Sequence, residues 1–412
     1  MNMMVYIVRR IVLIFPTLIG VMSIVFVLLS ALPVTNQLIA NFGNPPIHAP
    51  CGYDPECSCK VLGEGTTGNC PNPLYLRYTA RLGLDKPIYV RYGLFMLRSL
   101  TFNWGTVANQ SAVEQVYPFA KGEPVTSFLG QMLPSTMELA ALSLIIILVI
   151  AIPIGNLSAV NRNRPIDQAS RVVSFSGYAL PPFLLGSFVI FGIFYLLVGH
   201  TGFLVSTPWC PKPGEALIDE LTGSWPQAGC YTGKVLLATN CPTWLSACLV
   251  SHPTGFPTVD AVIHGQNWLA IDTLIRIILP ALVIAYGSVA TLLRFVRNSM
   301  LEVMNLDFIR TARAKGVPEA TVVSRHAGRN SLNVTITVLG LTFAFFLGGF
   351  PVIEEVFQLN GIGRALAIAA TPGNFDYGVI FGSTILFTYL VVAANLLVDV
   401  LYAYLDPRVR LG

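Results

Sequence analysis

Residues 11–32 read IVLIFPTLIGVMSIVFVLLSAL, 22 consecutive positions without Asp, Glu, Lys or Arg. A helix of about 20 apolar residues crosses a hydrocarbon core about 30 Å thick, so this run predicts a membrane span. Arg9 and Arg10 precede it, as they would in a secretory signal. The run is longer than the roughly 7–15 residues of a signal core, and no convincing small-residue cleavage site closes it. It therefore predicts an uncleaved first membrane helix.

The composition of the whole chain agrees with this start. Of 412 residues, 54% are hydrophobic and only 11% are charged, and the mean hydropathy is +0.65. Soluble domains carry about 25% charged residues, and disordered chains are poor in apolar residues, so both classes are excluded. The formal net charge of +4 is small, and no basic patch indicates a nucleic-acid partner. Membrane lipid is the expected surrounding.

Six runs in all lack acidic and basic residues, and the sequence therefore predicts an all-α membrane protein with six transmembrane helices. The fourth run has only 17 residues, but Arg276 and Arg294 flank it and can extend their side chains to the two interfaces. The six runs are Ile11–Leu32, Leu139–Leu157, Val172–Val198, Ile277–Leu293, Ser331–Ile353 and Tyr377–Val398.

Lys and Arg residues predict the orientation, because they are enriched in short cytoplasmic segments. With the N-terminus inside, segments 1–10, 158–171, 294–330 and 403–412 are cytoplasmic. These 71 residues contain 14 of the 25 Lys and Arg residues. The expected result is a multi-pass protein of the cell membrane with both termini in the cytoplasm. Segments 33–130 and 199–276 become large extracytoplasmic loops.

All eight cysteines fall in these two loops, four in each: Cys51, Cys57, Cys59, Cys70, Cys210, Cys230, Cys241 and Cys248. Even numbers of cysteine in exported segments favour disulfides, which persist in oxidising compartments. Four cysteines allow three pairings, and the sequence does not choose among them. Metal binding and free thiols are the alternatives, but the tight Cys57-Ser58-Cys59 spacing differs from that of zinc sites. We therefore expect stapled loops and no metal.

Residues 84–100, LDKPIYVRYGLFMLRSL, form an amphipathic stretch within the first loop. Aromatic and aliphatic side chains alternate with three basic residues, a composition typical of helices that lie along a membrane surface. We expect a surface helix at the outer face.

Catalytic and nucleotide-binding motifs are absent from the sequence. It contains no GxxxxGK[ST] phosphate loop, no HExxH zinc helix and no GxSxG nucleophile elbow. The six apolar runs also lack the ionisable residues that proton-coupled transporters use, and Glu138 and Asp399 only approach their edges. The chain is therefore expected to be neither an enzyme nor a proton-coupled carrier.

The longest cytoplasmic segment, residues 294–330, reads RFVRNSMLEVMNLDFIRTARAKGVPEATVVSRHAGRN. Apolar residues follow three- and four-residue helical spacings at Leu301, Met304, Phe308 and Ile309. Gly316 and Pro318 interrupt this pattern. Glycine often follows the last residue of a helix, and proline often begins the next. The pattern predicts a short helix, a turn and a second helix that leads into the next span.

This segment resembles the ATPase-coupling loop of ABC-importer permeases. Arg310, Thr311 and Ala312 precede Gly316 at the distances of the EAAxxxG signature. Asn298–Val303 and Asp307–Gly316 are similar to the ASMLEV and DYVRTARAKG stretches of the dipeptide/oligopeptide (Dpp/Opp) subfamily. Arg310-Thr311 in place of Glu-Ala departs from the general loop and is usual in this subfamily.

The resemblance covers most of the membrane portion. Residues 6–10 followed by 16–21 resemble the start of the subfamily's first helix. Residues 82–87 resemble its external LGLDxP segment, and residues 133–139 resemble LPxTxEL ahead of the second helix. Residues 279–282 and 399–410 also fit. The two cysteine-bearing expansions are not explained by the resemblance.

The resemblance implies the type I ABC importer permease fold. It implies that the chain is a non-catalytic permease subunit that works with a second homologous permease subunit, two ATP-binding subunits and an extracytoplasmic solute-binding protein. ATP and Mg would belong to the partner subunits, and this chain would hold no cofactor. The implied coupling residues are Glu302, Asp307, Arg310, Thr311, Ala312, Arg313, Ala314, Lys315 and Gly316. Without the motif, the basic residues would be read as orientation signals.

A second set of candidates lies in residues 354–364, which resemble the family's loop over the outer pore mouth. Glu354, Glu355 and Arg364 are candidates for an outer gate or a receptor contact, because exposed polar loops often carry function. A purely solvating role is the alternative.

The expected domain order is a first helix with its cytoplasmic N-terminus at 1–32 and an extracytoplasmic loop at 33–130. An ABC transmembrane type-1 domain at 131–405 and a cytoplasmic tail at 406–412 follow. The expected function is ATP-driven import of peptides or oligosaccharides. A membrane receptor or structural protein that binds a partner through stapled external loops is the alternative. A secondary transporter is disfavoured because the spans lack ionisable groups.

Overall fold

The computed structural model describes residues 3–31, 48–50, 59–62, 65–71, 79–80, 83–107, 122–196, 231–232, 235–236, 256–263, 267–347, 349–357, 359–371 and 376–405. The chain divides into two compact units. The first groups Met1–Ile14, Met132–Arg364 and Tyr389–Gly412, and the second groups Phe15–Gln131 and Ala365–Thr388.

Helices form most of the described chain. The long helices are α1 (Met3–Ser30), α3 (Val125–Val160), α7 (Asn267–Val303), α10 (Arg329–Leu347) and α13 (Tyr377–Leu405). The shorter ones are α2 (Ile88–Leu100), α4 (Pro165–Ala179), α5 (Pro182–Leu196), α6 (Pro257–Ile263), α8 (Asp307–Ala314), α9 (Glu319–Thr321), α11 (Pro351–Val356) and α12 (Ile362–Ala369). A π-helical segment, Val322–Gly328, joins α9 to α10.

Within the described residues, four helical segments are long and apolar enough to cross a membrane: Val12–Ser30, Val125–Val160, Ile277–Val303 and Tyr377–Val400. The pair α4 and α5 makes a fifth candidate if it is taken as one bent span. A multi-pass helical protein is thus confirmed. The number six stays a prediction, because α10 is not among these candidates.

Two of the predicted runs are not continuous helices. Val172–Val198 is interrupted at Leu180, and α4 and α5 meet at an angle of 100°. Pro181 and Pro182 follow this point, and proline disfavours helical backbone in the residue before it. Ser331–Ile353 is interrupted after α10, where Gly349 has a φ of 78° before α11 starts at Pro351.

Helix α7 is the centre of the first unit, where it packs against α4, α5 and α10. Its buried side chains Ala281, Leu292 and Leu293 belong to one apolar cluster with Ile147 of α3 and Phe346 of α10. Glycine permits the close approach: a Cβ added to Gly177 of α4 would overlap the side chain of Ala290. Small residues let helices pack closely in a membrane, where the hydrophobic effect contributes little between them.

An ion pair joins the N-terminal part of α1 to α13. Arg10 of α1 forms an ion pair with Asp399 of α13 at 3.1 Å. Both side chains are partly exposed, so the contact contributes modestly to stability. It does show that the charge at the edge of the last run has a partner.

In the second unit, α2 packs its aromatic face on neighbouring helices. Phe26 of α1 makes edge-to-face contacts with Tyr92 and Phe95, and Phe95 makes another with Phe381 of α13. The hydroxyls of Ser23 and Tyr92 lie 2.7 Å apart. The predicted amphipathic helix is therefore present from Ile88, directly after Pro87. Its position on the outer membrane surface stays a prediction.

Short strands also occur, and an all-α description omits them. β1 (His48–Pro50), β3 (Gly65–Pro71) and β2 (Cys59–Leu62) form an antiparallel sheet in that order, and β4 (Tyr231–Thr232) pairs with β5 (Val235–Leu236). The three-stranded sheet lies in the first predicted loop, and the β4–β5 pair lies in the second. In the sheet register Cys59 lies opposite Gly68 rather than Cys70. The predicted disulfides concern side chains outside the described part of the structure.

The contact between Gly340 of α10 and Val398 of α13 provides a test of this packing. A Cβ on Gly340 would overlap the Val398 side chain, so Gly340→Ala should destabilise the protein by about 1–3 kcal/mol. Thermal unfolding in detergent measures the change. Gly20→Ala, where a Cβ would have no neighbour within 4 Å, is the matched control. Adding Val398→Ala should restore stability, and failure of this rescue would contradict the packing.

Candidate functional site

The turn after α8 has the geometry of a Schellman motif. Gly316 has a φ of 76°, its N–H donates to the carbonyl of Arg313 at 2.9 Å, and the N–H of Val317 donates to that of Ala312 at 3.2 Å. These are the two hydrogen bonds that end a helix on a left-handed glycine. The predicted helix, turn and second helix are confirmed.

An apolar cluster, the α8 cluster, holds this helix in place. It combines Ile309 and Ala312 of α8 with side chains from α3, α7 and the π-helical segment: Ala159, Met300, Val303, Val322 and Ala327. Ile309 is fully buried, which contributes about 1.5–3 kcal/mol through removal of its side chain from water. Helix α8 is therefore fixed to the ends of two long helices.

A bidentate ion pair closes the turn from outside. The Arg313 guanidinium donates to both carboxylate oxygens of Glu319, at 3.0 Å from Nε and 2.6 Å from Nη2. This contact lowers the pKa of the Glu319 carboxyl below its usual value. From the sequence, Arg313 was a candidate coupling residue or an orientation signal, with no partner indicated. The partner six residues later depends on the reversal of the chain at Gly316.

The rest of α8 points away from the cluster. The outward side chains, called here the α8 face, are Leu306, Asp307, Phe308, Arg310, Thr311, Ala314 and Lys315. Phe308 is 41% exposed, although burial of its large aromatic ring would be favourable. Asp307 and Arg310 form an exposed ion pair at 3.4 Å. The α8 face is therefore an exposed surface of mixed apolar and charged side chains on a base of buried ones.

The predicted coupling residues are thus brought together, with two roles. Ala312 and Gly316 shape and anchor the helix, whereas Asp307, Arg310, Thr311, Ala314 and Lys315 lie on the α8 face. Glu302 is exposed near the end of α7, just ahead of that face. Sequence reasoning missed Leu306 and Phe308 as outward residues. The helical spacing of Phe308 with Leu301 and Met304 was visible, but it could not show which side would be covered.

The π-helical segment is another feature that the sequence did not reveal. Seven residues, Val322–Gly328, lie between the turn and α10. Val322 and Ala327 of this segment are fully buried in the α8 cluster. π-helical turns occur frequently at functional sites, and this one connects the α8 cluster to a long helix.

A buried carboxylate, Asp167, organises the same end of the unit. Arg297 of α7 donates to it twice, at 2.6 and 3.1 Å, and Arg171 donates at 2.8 Å. The Ser158 hydroxyl and the Asn163 N–H donate as well, at 2.8 and 2.9 Å. Five hydrogen bonds thus connect α3, α4 and α7 through one side chain. No sequence motif pointed to Asp167, because its partners lie up to 130 residues away.

The second set of predicted residues, Glu354, Glu355 and Arg364, takes part in a local hydrogen-bond network. Glu354 is fully buried and accepts hydrogen bonds from the Thr136 hydroxyl and the Arg364 N–H, each at 3.0 Å. The Arg364 side chain is also buried and donates to Glu355 and Asn360. The expectation of exposed residues is wrong for Glu354 and Arg364, because Glu354 bonds to Thr136 of α3 and the Arg364 side chain bonds to residues of its own segment. Only Glu355 is exposed. A role at an outer gate stays a prediction.

Glu138 likewise has a local partner. Its carboxylate accepts hydrogen bonds from the N–H and the hydroxyl of Thr258, each at 3.0 Å, in the first turn of α6. The contact joins α3 to the residues that end the second large loop. A carboxylate at a helix N-terminus is favoured by the helix dipole, which agrees with an anchoring role.

Comparison with known proteins adds an independent finding. Residues 151–411 match the family described as binding-protein-dependent transport system inner membrane component. The chain is 32% identical to a probable D,D-dipeptide transport system permease protein of Escherichia coli K12, over 81% of this chain and 83% of that protein. It is 30% identical to the dipeptide transport system permease protein of the same strain, over 99% of each. The oligopeptide transport system permease protein AppB of Bacillus subtilis 168 is 30% identical, over 98% of this chain and 99% of that protein.

The Asp167 network yields a prediction about stability. Asp167→Asn removes the charge opposite Arg297, whose side chain is only 13% exposed, and should cost about 3–5 kcal/mol. The matched control is Asp307→Asn, which removes a carboxylate from an exposed ion pair and should cost less than about 1 kcal/mol. Thermal unfolding of the purified variants compares the two. Equal shifts in melting temperature would contradict a structural role for Asp167.

Proposed function

We propose, on the premise that this chain belongs to the family of binding-protein-dependent transport system inner membrane components, that it is the permease subunit of an ATP-driven peptide importer. The observation that carries the proposal is α8, an exposed helix that stands on a rigid cluster and ends at a left-handed glycine. In this proposal the α8 face docks on an ATP-binding subunit.

The contacts of α8 suit the transmission of movement. A docked subunit would contact the α8 face, and any displacement of the helix would move Ile309 and Ala312 with it. These side chains pack on Met300 and Val303 of α7 and, through Val322 and Ala327, on the segment that continues into α10. Close-packed interiors transmit displacement instead of absorbing it. Closure of the ATP-binding subunits would therefore reach two long helices directly.

The energy source in this proposal lies outside the chain. Two ATP-binding subunits would hold ATP and Mg, and a second homologous permease subunit would complete the translocation path. An extracytoplasmic binding protein would deliver the substrate. ATP binding then shifts the permease pair between inward-open and outward-open states, since a ligand favours the state that it binds better. This chain itself would be non-catalytic.

We propose six spans with both termini in the cytoplasm. The bent pair α4 and α5 supplies the third span, and α10, with 19 residues, supplies the fifth. An even number of spans places both termini on one side. The distribution of Lys and Arg supports the cytoplasmic side, and it places the α8 face where ATP-binding subunits are available.

Peptides are the proposed substrates because the relatives are named for dipeptide and oligopeptide transport. Oligosaccharides, which the sequence also allowed, have no support from these names. The two cysteine-bearing loops would be extracytoplasmic and stapled by disulfides. A receptor without transport activity remains the second candidate function, favoured only by the size of those loops.

The turn at Gly316 provides the main test. Gly316→Val should abolish substrate-stimulated ATP hydrolysis by the assembled complex, because a φ of 76° is costly for a β-branched residue. A steric clash is not the reason for the expected loss, because a Cβ at Gly316 would have no neighbour within 4 Å. Gly316→Asn is the matched control: asparagine tolerates this conformation and should retain most of the stimulation. Unchanged hydrolysis and uptake in Gly316→Val would contradict coupling through this turn.

The α8 face provides a second test, independent of backbone conformation. Phe308→Ser should weaken association with the ATP-binding subunits at least tenfold, because the exposed ring is the largest apolar group on that face. Thermal unfolding of the isolated chain should be nearly unchanged. Ala320→Ser, an exposed position in α9, is the control and should retain association. Co-purification with the ATP-binding subunits measures the effect, and full retention by Phe308→Ser would exclude docking through this face.

A further inference from the structure

A basic cavity lies between α4 and α7 of the first unit, beside the Asp167 network. Its volume is about 390 Å³. Four of its lining residues are arginines, and none is acidic: Arg162, Arg171, Arg294 and Arg297 are joined by the neutral polar residues Ser170, Ser174 and Asn298. The peptide importer proposed above does not use this cavity.

The arginines differ in how far they are neutralised. Arg171 and Arg297 share the single carboxylate of Asp167. Arg162 and Arg294 are exposed and form no ion pair within the described part of the chain. The cavity therefore carries an excess of positive charge that is open to solvent, and two guanidinium groups remain available to a ligand.

Apolar side chains adjoin this charge on one side. Phe175 and Leu293 line the cavity itself. Phe175 is 71% exposed and Val172, one turn earlier on α4, is 68% exposed. Exposed apolar residues on a membrane helix can contact acyl chains or a neighbouring helix, so the cavity lies where a charged group and an apolar surface meet.

We propose that this cavity binds the phosphate headgroup of an anionic phospholipid, whose acyl chains lie along Val172 and Phe175. Guanidinium groups bind phosphate through paired, charge-assisted hydrogen bonds. Free phosphate would use the same groups, but it would leave the apolar rim unoccupied. Basic pockets between membrane helices on the cytoplasmic side bind anionic headgroups in other proteins. The assignment to the cytoplasmic leaflet rests on the proposed function.

The cavity is also connected to the candidate coupling site. Leu301 of α7 lines it and packs against the α8 cluster. A bound lipid would hold Arg294 and Arg297 on α7 and Arg162 and Arg171 beside α4. The lipid would thus brace the helices that carry α8, and it should raise the thermal stability of the protein because it binds only the folded state.

The test uses the full chain, purified with its co-purifying subunits and stripped of lipid. Dioleoyl phosphatidylglycerol, dioleoyl phosphatidylcholine and inorganic phosphate are added separately, and native mass spectrometry counts what is bound. The variant Arg162→Gln/Arg294→Gln removes the two unpaired charges. The control Arg325→Gln/Arg329→Gln removes two exposed arginines that do not line the cavity.

The native protein should retain phosphatidylglycerol and not phosphatidylcholine, and the Arg162→Gln/Arg294→Gln variant should bind phosphatidylglycerol at least tenfold more weakly. The control variant should bind within twofold of the native protein. A melting temperature of the lipid-free Arg162→Gln/Arg294→Gln variant equal to that of the native protein confirms that it is folded.

Three outcomes would overturn the proposal. Equal phosphatidylglycerol binding by both double variants would exclude the cavity. Retention of inorganic phosphate without phosphatidylglycerol would indicate a site for a free anion. Loss of the ATP-binding subunits with unchanged lipid binding would indicate a protein interface. The lipid measurement involves no ATP hydrolysis, so its failure is distinguishable from a failure of the Gly316 test.

Discussion

The hydrocarbon interior of a membrane offers no hydrogen-bond partners, and most of this structure follows from that constraint. Each backbone N–H and C=O must be satisfied within the chain, which long helices such as α3 and α7 achieve. Where the helices are interrupted, local groups take over. Around α11 the Glu354 carboxylate accepts from the Arg364 N–H, and the Thr136 hydroxyl accepts from the Ile362 N–H. Two N–H groups in the first turn of α12 are thereby satisfied by side chains.

A buried carboxyl group with several hydrogen bonds is found at each of two ends of the first unit. At one end Glu354 and Thr136 hold an irregular segment against α3. At the other end Asp167 gathers the termini of α3, α4 and α7, and excess arginines remain around it. Buried carboxylates of this kind stabilise by being fully satisfied, since an unpaired one would cost several kcal/mol. Each of the two side chains connects separate segments of the unit through its hydrogen bonds.

Helix α8 combines rigidity and exposure. Two buried side chains fix it, and the rest of its surface is open. This division explains how a helix of eight residues, too short to be stable alone, can present a defined face. The Gly316 turn and the Arg313 to Glu319 pair extend the rigid part beyond the helix. A partner that docks on the open side therefore meets a preformed surface, which reduces the entropy lost on binding.

The sequence by itself determined the helical membrane class, most of the long helices and the position of the turn at Gly316. Apolar runs and a glycine followed by proline are local signals, and local backbone preferences are sufficient to read them. It did not determine that the runs at Leu180 and Gly349 would break, because a proline or glycine in a membrane helix also permits a mere bend. Nor did it reveal the burial of Glu354, the Asp167 network or the exposure of Phe308. These depend on which distant residues meet: Thr136 lies 218 positions from Glu354, and Arg297 lies 130 from Asp167. Only the tertiary structure decides such contacts, because the free energy of a polar or aromatic side chain depends on the partner it meets or the solvent it faces.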